Sequence, residues 1–214
     1  MKSSKVLEMI NQGQIEELKD LLRDDIYQEA LKSNHGAKQR YAAMKKYFGY
    51  VNMSGRIACQ KPALIVFEGE NYTSFCNSYS LALTKEPCGS IALYTEADGT
   101  YPDVGRLIKR EGDPVQVDLG KVFAEAKSKG YSLKKSEVNG GAFMMKYNNA
   151  YFRMGLVHAT YSIIDDGGKV TVYHSGKNVS PITVENDIGV CLILPVRCDE
   201  EFIKENGITV IDLE

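Results

Sequence analysis

The hydrophobic period of this chain changes at Lys61-Pro62, and that change constrains the fold more than any other feature. Upstream, apolar residues recur at helical spacing. Downstream, short apolar runs alternate with turn formers, as strands do. Helices segregated from strands in this way predict the α+β class, with mainly antiparallel sheets. At 214 residues the chain suits one domain or two of roughly 100 residues each.

The helical part begins with a short segment that Ser3 and Ser4 can cap and that ends near Asn11-Gln12-Gly13. A longer helix follows. It carries Ile15, Leu18, Leu22 and Ile26 along one side and Glu16, Glu17, Asp20, Asp24 and Asp25 elsewhere. After Asn34-His35-Gly36 the spacing predicts a third helix over 37–48, with Ala37, Tyr41, Met44 and Phe48 on one stripe. Lys38, Lys45 and Lys46 fall on another, within an arc of roughly 100°. This helix packs by one side and offers three ammonium groups on the other.

Strands are predicted over 63–67, 71–76, 79–84 and 89–94. The turn-rich stretch 95–114 holds a short helix at 103–109 and is the one plausible domain boundary. The second half repeats the order of elements. Val115-Gln116-Val117 is a short strand, and Asp118 caps a helix whose apolar stripe is Leu119, Val122, Phe123 and Ala126, stopped by Gly130. A strand over 142–147 leads into a helix over 150–164, then three strands follow from 169 to 196. The expected organisation is an N-terminal helical extension (1–35), a first unit (36–112) and a second unit (113–214).

With 26 basic and 28 acidic residues the net charge is -2, so charge has to be read by position rather than in bulk. Five cysteines, an odd number without CxxC spacing, predict reduced thiols in a cytoplasmic protein. No apolar run approaches the roughly 18 residues of a membrane span, and the N-terminus lacks a signal-peptide core. His35, His158 and His174 have no metal-ligand spacing, and no GxGxxG, Walker loop or GxSxG occurs. Adjacent acids such as Asp24-Asp25 and Glu200-Glu201 diverge on a helix and make no acid/base couple. The expectation is a protein without catalytic residues, metal or cofactor. Tyr41, Tyr47 and Tyr50 near the basic helix suit either stacking on single-stranded bases or the core.

Three stretches taken together resemble the DNA sliding clamps, specifically the second and third domains of the bacterial replicative polymerase beta subunit. Tyr101-Pro102-Asp103 followed by Arg106-Leu107-Ile108 is similar to that family's interdomain segment. Lys146-Tyr147-Asn148-Asn149-Ala150-Tyr151-Phe152 is similar to a strand-to-helix passage in the last domain. Leu192-Ile193-Leu194-Pro195-Val196-Arg197 is similar to its C-terminal strand. The resemblance covers roughly residues 36–198. It implies two small clamp-like domains of antiparallel sheet with packed helices. It also implies a hydrophobic groove for short peptides of replication proteins, built here by Tyr79, Leu81, Pro102, Leu107, Leu192, Leu194 and Pro195. Sequence-independent contact with DNA phosphates would fall to Lys38, Lys45, Lys46 and Lys121. Departures from the family are the Cys76-Asn77-Ser78 turn in place of Thr-Asp-Gly, shortened stretches after Leu83 and Gly130, and a tail beyond Arg197. No counterpart of the clamp's first domain is present, so a six-domain ring would need about three copies. The resulting expectation is a processivity-type accessory factor, of phage or mobile-element kind, that can assemble with copies of itself. The alternative is a protein-interaction module of clamp-like fold that has lost DNA contact.

Overall fold

The computed structural model describes residues 3–33, 36–51, 61–89, 91–95, 99–133 and 143–213. Among these, six α-helices are α1 (Ser3–Asn11), α2 (Ile15–Ser33), α3 (Ala37–Val51), α4 (Leu119–Ser128), α5 (Met154–Tyr161) and α6 (Glu200–Glu205). The strands are β1 (Ala63–Phe67), β2 (Glu70–Cys76), β3 (Ser80–Thr84), β4 (Val115–Val117), β5 (Phe143–Tyr147), β6 (Ala150–Arg153), β7 (Val170–Tyr173), β8 (Ile182–Glu185), β9 (Gly189–Ile193) and β10 (Thr209–Asp212). The α+β class is thus observed.

Seven strands form one antiparallel sheet in the order β1-β2-β3-β9-β8-β7-β4, and a second sheet has the order β10-β5-β6. Only β10 runs parallel to its neighbour, β5. Turn chemistry sets the hairpins. Glu68 and Gly69 both have positive φ (51° and 82°) between β1 and β2, the backbone that two-residue hairpin turns require. Asn148, at φ 52°, starts the equivalent turn between β5 and β6.

Near the centre of the large sheet β3 pairs with β9, placing Leu81 opposite Leu192 and Ala82 opposite Cys191. The sheet therefore joins strands from either side of residue 112. Period-two alternation divides its faces. Ala82, Cys191 and Ile193 enter the main core with Met44 and Tyr47 of α3, Phe123 of α4, Val157 of α5 and Phe152 of β6. Leu81, Leu83, Val190 and Leu192 point the other way, into a second apolar cluster with Val104 and Ile108. Each fully buried leucine contributes about 1.5–3 kcal/mol.

The β3–β9 contact is close at Gly189. A Cβ there would lie 2.0 Å from the Leu83 carbonyl oxygen and 2.9 Å from Ile164 Cγ2. Gly189→Ala is expected to lower stability by about 1–3 kcal/mol through forced separation of the strands, read as a lower urea midpoint. A wild-type midpoint would show that the pair yields without cost.

Three local expectations are corrected. Residues 91–95 form no strand, because Ile91 N–H turns back to the Cys88 carbonyl and Tyr94 N–H bonds Pro62 without a ladder. Residues 150–153 are strand β6 rather than the start of a helix, because they pair with β5 before the chain turns into α5 at Met154. The helix expected over 103–109 is a single 3-10 turn, Val104–Arg106. The tail, for which no elements were expected, supplies α6 and β10 and places Ile211 and Leu213 in the main core. On α2 only Leu18 of its apolar side is buried, while Ile15, Leu22 and Ile26 remain exposed. His35, Cys59 and Gly140-Gly141 lie outside the described residues, and the described side chains of α3 end at Tyr47.

Candidate functional site

Of the seven residues expected to form a groove, Leu81 and Leu192 lie on the face of the large sheet that turns away from the helices. Leu81 and Leu192 are buried as a directly opposed cross-strand pair. Two residues outward along each strand, Tyr79 and Leu194 share this face, and Leu194 N–H donates to the Tyr79 carbonyl at 2.9 Å. Tyr79, Leu107 and Leu194 are 42%, 48% and 39% exposed, whereas Pro102 and Pro195 are half-buried. Leu81 and Leu192 are thus covered, while Tyr79, Leu107 and Leu194 keep exposed side chains.

The turn that presents Tyr79 is held by a buried hydroxyl network. Asn77 Oδ1 accepts from the backbone N–H of Tyr79 (2.7 Å) and of Ser80 (2.9 Å). Its amide donates to Tyr47 Oη (2.7 Å) and Ser80 Oγ (3.0 Å). Thr160 Oγ1 donates to the same Ser80 hydroxyl at 2.9 Å. The network thereby ties α3 and α5, on one side of the sheet, to the turn at the groove. Fully satisfied, it adds rigidity, and its low-dielectric setting makes any broken link costly.

Residues 101–110 strap across this face. Tyr101 Oη donates to the Ser74 carbonyl at 2.9 Å. Val104 and Ile108 then bury themselves over Leu81 and Leu192. At the far end Arg110 Nε donates to Glu185 Oε2 (2.6 Å), and its Nη1 and Nη2 fork onto Glu68 (2.6 and 3.1 Å). The paired guanidinium holds the Glu68 carboxyl below its ordinary range, through the hydrogen bonds first and charge second. Thr183 Oγ1 donates to the Lys109 carbonyl at 2.7 Å, giving the strap another anchor. Leu107, on the strap, donates its backbone N–H to the Val104 carbonyl at 3.1 Å and keeps its side chain 48% exposed.

Three of the four lysines share α3. Lys38, Lys45 and Lys46 are all exposed, on a face flanking the buried Ala37, Tyr41 and Met44. Lys45 Nζ sits 4.7 Å from the centre of the Tyr41 ring. Tyr41 and Tyr47 are core residues, so neither offers a free face for stacking. Lys121 stands apart on α4, with Nζ 3.9 Å from Asp118 Oδ2. It lines a polar cleft of ≈ 480 Å³ that also holds Glu125, Lys129, Lys169 and Asp212. Carboxylates therefore offset the cations around Lys121.

The two described histidines are packed among aromatic rings. His158 stacks on Phe123, with ring centres 4.3 Å apart and planes at 20°, and its Nδ1 lies 3.1 Å from Tyr131 Oη. Burial pushes its imidazole down to about 4, with the Lys127 charge acting in the same direction. His174 Nδ1 accepts the Gly176 backbone N–H at 3.1 Å, so the ring proton belongs on Nε2. Burial lowers its pKa as well. Cys76, Cys88, Cys191 and Cys198 form no disulfide among the described residues, and burial pushes the Cys191 thiol far up. Among the described residues no three metal-ligating side chains stand together, and no helix is long and apolar enough to cross a membrane.

The chain matches no protein-family model, no curated protein and no solved structure. Its function is therefore read from its own geometry.

Sequence reasoning missed the groups that position the groove. Asn77 was legible only as a turn residue, and the fork of Arg110 onto Glu68 and Glu185 joins positions 42 and 75 residues apart. No sequence spacing reports such a contact.

Proposed function

We propose that this chain is a sliding-clamp-like, non-enzymatic accessory factor of DNA replication. It contacts DNA backbones without base readout through Lys38, Lys45 and Lys46, and holds short partner peptides in the groove on the other face. The observation that carries this reading is the gathering of Tyr79, Leu81, Leu192 and Leu194 on one sheet face beneath the 101–110 strap. The exposed Tyr79, Leu107 and Leu194 beside this cluster are the aliphatic and aromatic surface that a partner peptide would meet. The lysine side of α3 lies across the sheet from the Leu81–Leu192 cluster, so DNA and peptide are held without competing. Lys121 is a weaker member of the set because carboxylates surround it.

Duplex binding is expected to fall steeply with salt, and replacing Lys38, Lys45 and Lys46 together by glutamate lowers the slope of log K against log[salt] by about 2–3. Fluorescence anisotropy with a mixed-sequence duplex at several salt concentrations reads this directly. If the triple variant keeps its fold and binds duplex as before, the lysine role is wrong. The groove would then belong to a protein-interaction module. The exposed Leu7, Ile10, Ile15, Leu22 and Ile26 of α1 and α2 favour that second reading, since they offer further apolar surface for a partner.

A further inference from the structure

A cleft of ≈ 280 Å³ opens between α3 and the C-terminal end of α5. Gln39, Ala42, Ala43 and Lys46 line one wall at the spacing of a single helix face. Ala159 supplies the facing methyl, and Ser162 and Asp165 form the other rim. Alanine at three facing positions is what leaves the space open. Its size, just below the roughly 300–1,000 Å³ of ordinary ligand pockets, suits one ring-sized group rather than an extended cofactor. The apolar part of the lining, three alanine methyls with the Leu133 side chain, takes the face of a planar ring.

The polar groups at the rims are unequal. Asp165 is a fixed acceptor: its Oδ1 receives Tyr161 Oη–H at 3.0 Å and Gly167 N–H at 2.9 Å, and its carbonyl receives Arg40 Nη1 at 2.9 Å. The carboxylate is nonetheless exposed at the cleft. The next residue, Asp166, is turned onto Gly168 N–H. Lys46 brings a cation from the other wall, continuous with Lys38 and Lys45. A ligand that matches has a flat ring, adjacent N–H donors at one edge for the carboxylate, and an anion at the other end for the lysine. Guanine offers N1–H and the 2-amino group side by side and, as a nucleotide, carries the phosphate.

We propose that the cleft between α3 and α5 binds one unpaired guanine nucleotide, with the base edge on Asp165 and the phosphate on Lys46. The guanine comes either from a DNA strand or from a free nucleotide. Only the strand source rests on the DNA-binding reading above; the free nucleotide does not.

Calorimetry with dGMP, dIMP, dTMP and guanosine tests the site, and anisotropy with a duplex runs alongside. The expected order is dGMP above dIMP, which lacks the 2-amino group, with dTMP weakest. Asp165→Asn is expected to weaken dGMP by about tenfold or more, the range for loss of hydrogen bonds to a charged partner. Lys46→Ala removes the advantage of dGMP over guanosine. Ala42→Phe fills the cleft from a half-buried helix position without altering charge; it is expected to abolish dGMP binding and to leave duplex binding intact. Equal binding of dGMP and dTMP, or wild-type dGMP affinity in Ala42→Phe, overturns the proposal while leaving the duplex result to stand or fall alone. If duplex is not bound but dGMP is, and Ala42→Phe abolishes it, the DNA reading fails and the cleft remains a free-nucleotide site. Oligo(dT) carrying one central guanine separates the sources: tighter binding than plain oligo(dT) assigns the cleft to a strand, and equal binding assigns it to free nucleotide.

Discussion

Replacing Arg40 by alanine is expected to cost about 3–5 kcal/mol of folding stability, the range for removing one partner of a buried ion pair. Arg40 is fully buried within α3, and its Nη2 lies 2.7 Å from Glu86 Oε1. Its Nη1 donates to the Asp165 carbonyl at 2.9 Å. One guanidinium thus joins α3 to the chain after β3 and to the turn after α5. Without it the buried Glu86 carboxylate loses the guanidinium that it faces at 2.7 Å. Against a typical total of about 5–15 kcal/mol, that loss threatens folding at ambient temperature. Replacing the pair together, Arg40→Met with Glu86→Leu, is expected to recover most of the loss, because desolvation of both charges is then avoided. Urea midpoints of the three proteins check this. A single variant that loses less than about 1 kcal/mol would mean that water reaches the pair and screens it.

The second large effect is a pH dependence carried by His158. Its ordinary pKa of 6.5 falls to about 4 in the folded protein, so folding favours the neutral ring. Its contribution is fully present above pH 6.5, is lost as pH falls toward about 4, and changes no further below that. The shift corresponds to roughly 3 kcal/mol. The cause is burial against Phe123 and α4, with Lys127 adding repulsion of the imidazolium and Asp165 opposing it weakly. In His158→Phe an aromatic ring still packs on Phe123 but cannot titrate. The gap in stability between wild type and variant should therefore narrow, or reverse, by this amount between pH 7 and pH 4. His174, whose pKa is also lowered, is present in both proteins and cancels. A constant gap across urea unfolding at pH 7, 5.5 and 4 would show that His158 is not the titrating group.

Much of the local structure was legible because its causes are local. The stripe of α4, its Asp118 cap accepting the Lys121 N–H, and its stop at Gly130 depend on residues within one or two helical turns. The exposed lysines of α3 follow from helical spacing alone. The errors have one origin. Residues 91–95 have strand-like composition but no neighbouring strand to complete a ladder, and 150–153 have helical company but pair with β5. Strand formation depends on a partner that composition does not reveal.

The groove was legible in part. Its aliphatic members could be placed on strands, but their meeting depends on the β3–β9 register, which joins residues about 110 apart in the chain. Asn77, Arg110 and the Arg40–Glu86 pair were invisible as a set because each couples distant segments.

By itself, then, the sequence determined α1 to α4, the buried stripe of α4, most of the strands and the lysine stripe, since short-range sterics and period decide these. Tertiary structure alone decided which strands became neighbours, that β10 closes the small sheet, that the 101–110 strap covers Leu81 and Leu192, and that three alanines open a cleft beside Lys46. Those outcomes follow from burial of apolar area shared between remote segments, a quantity that no single stretch of the chain contains.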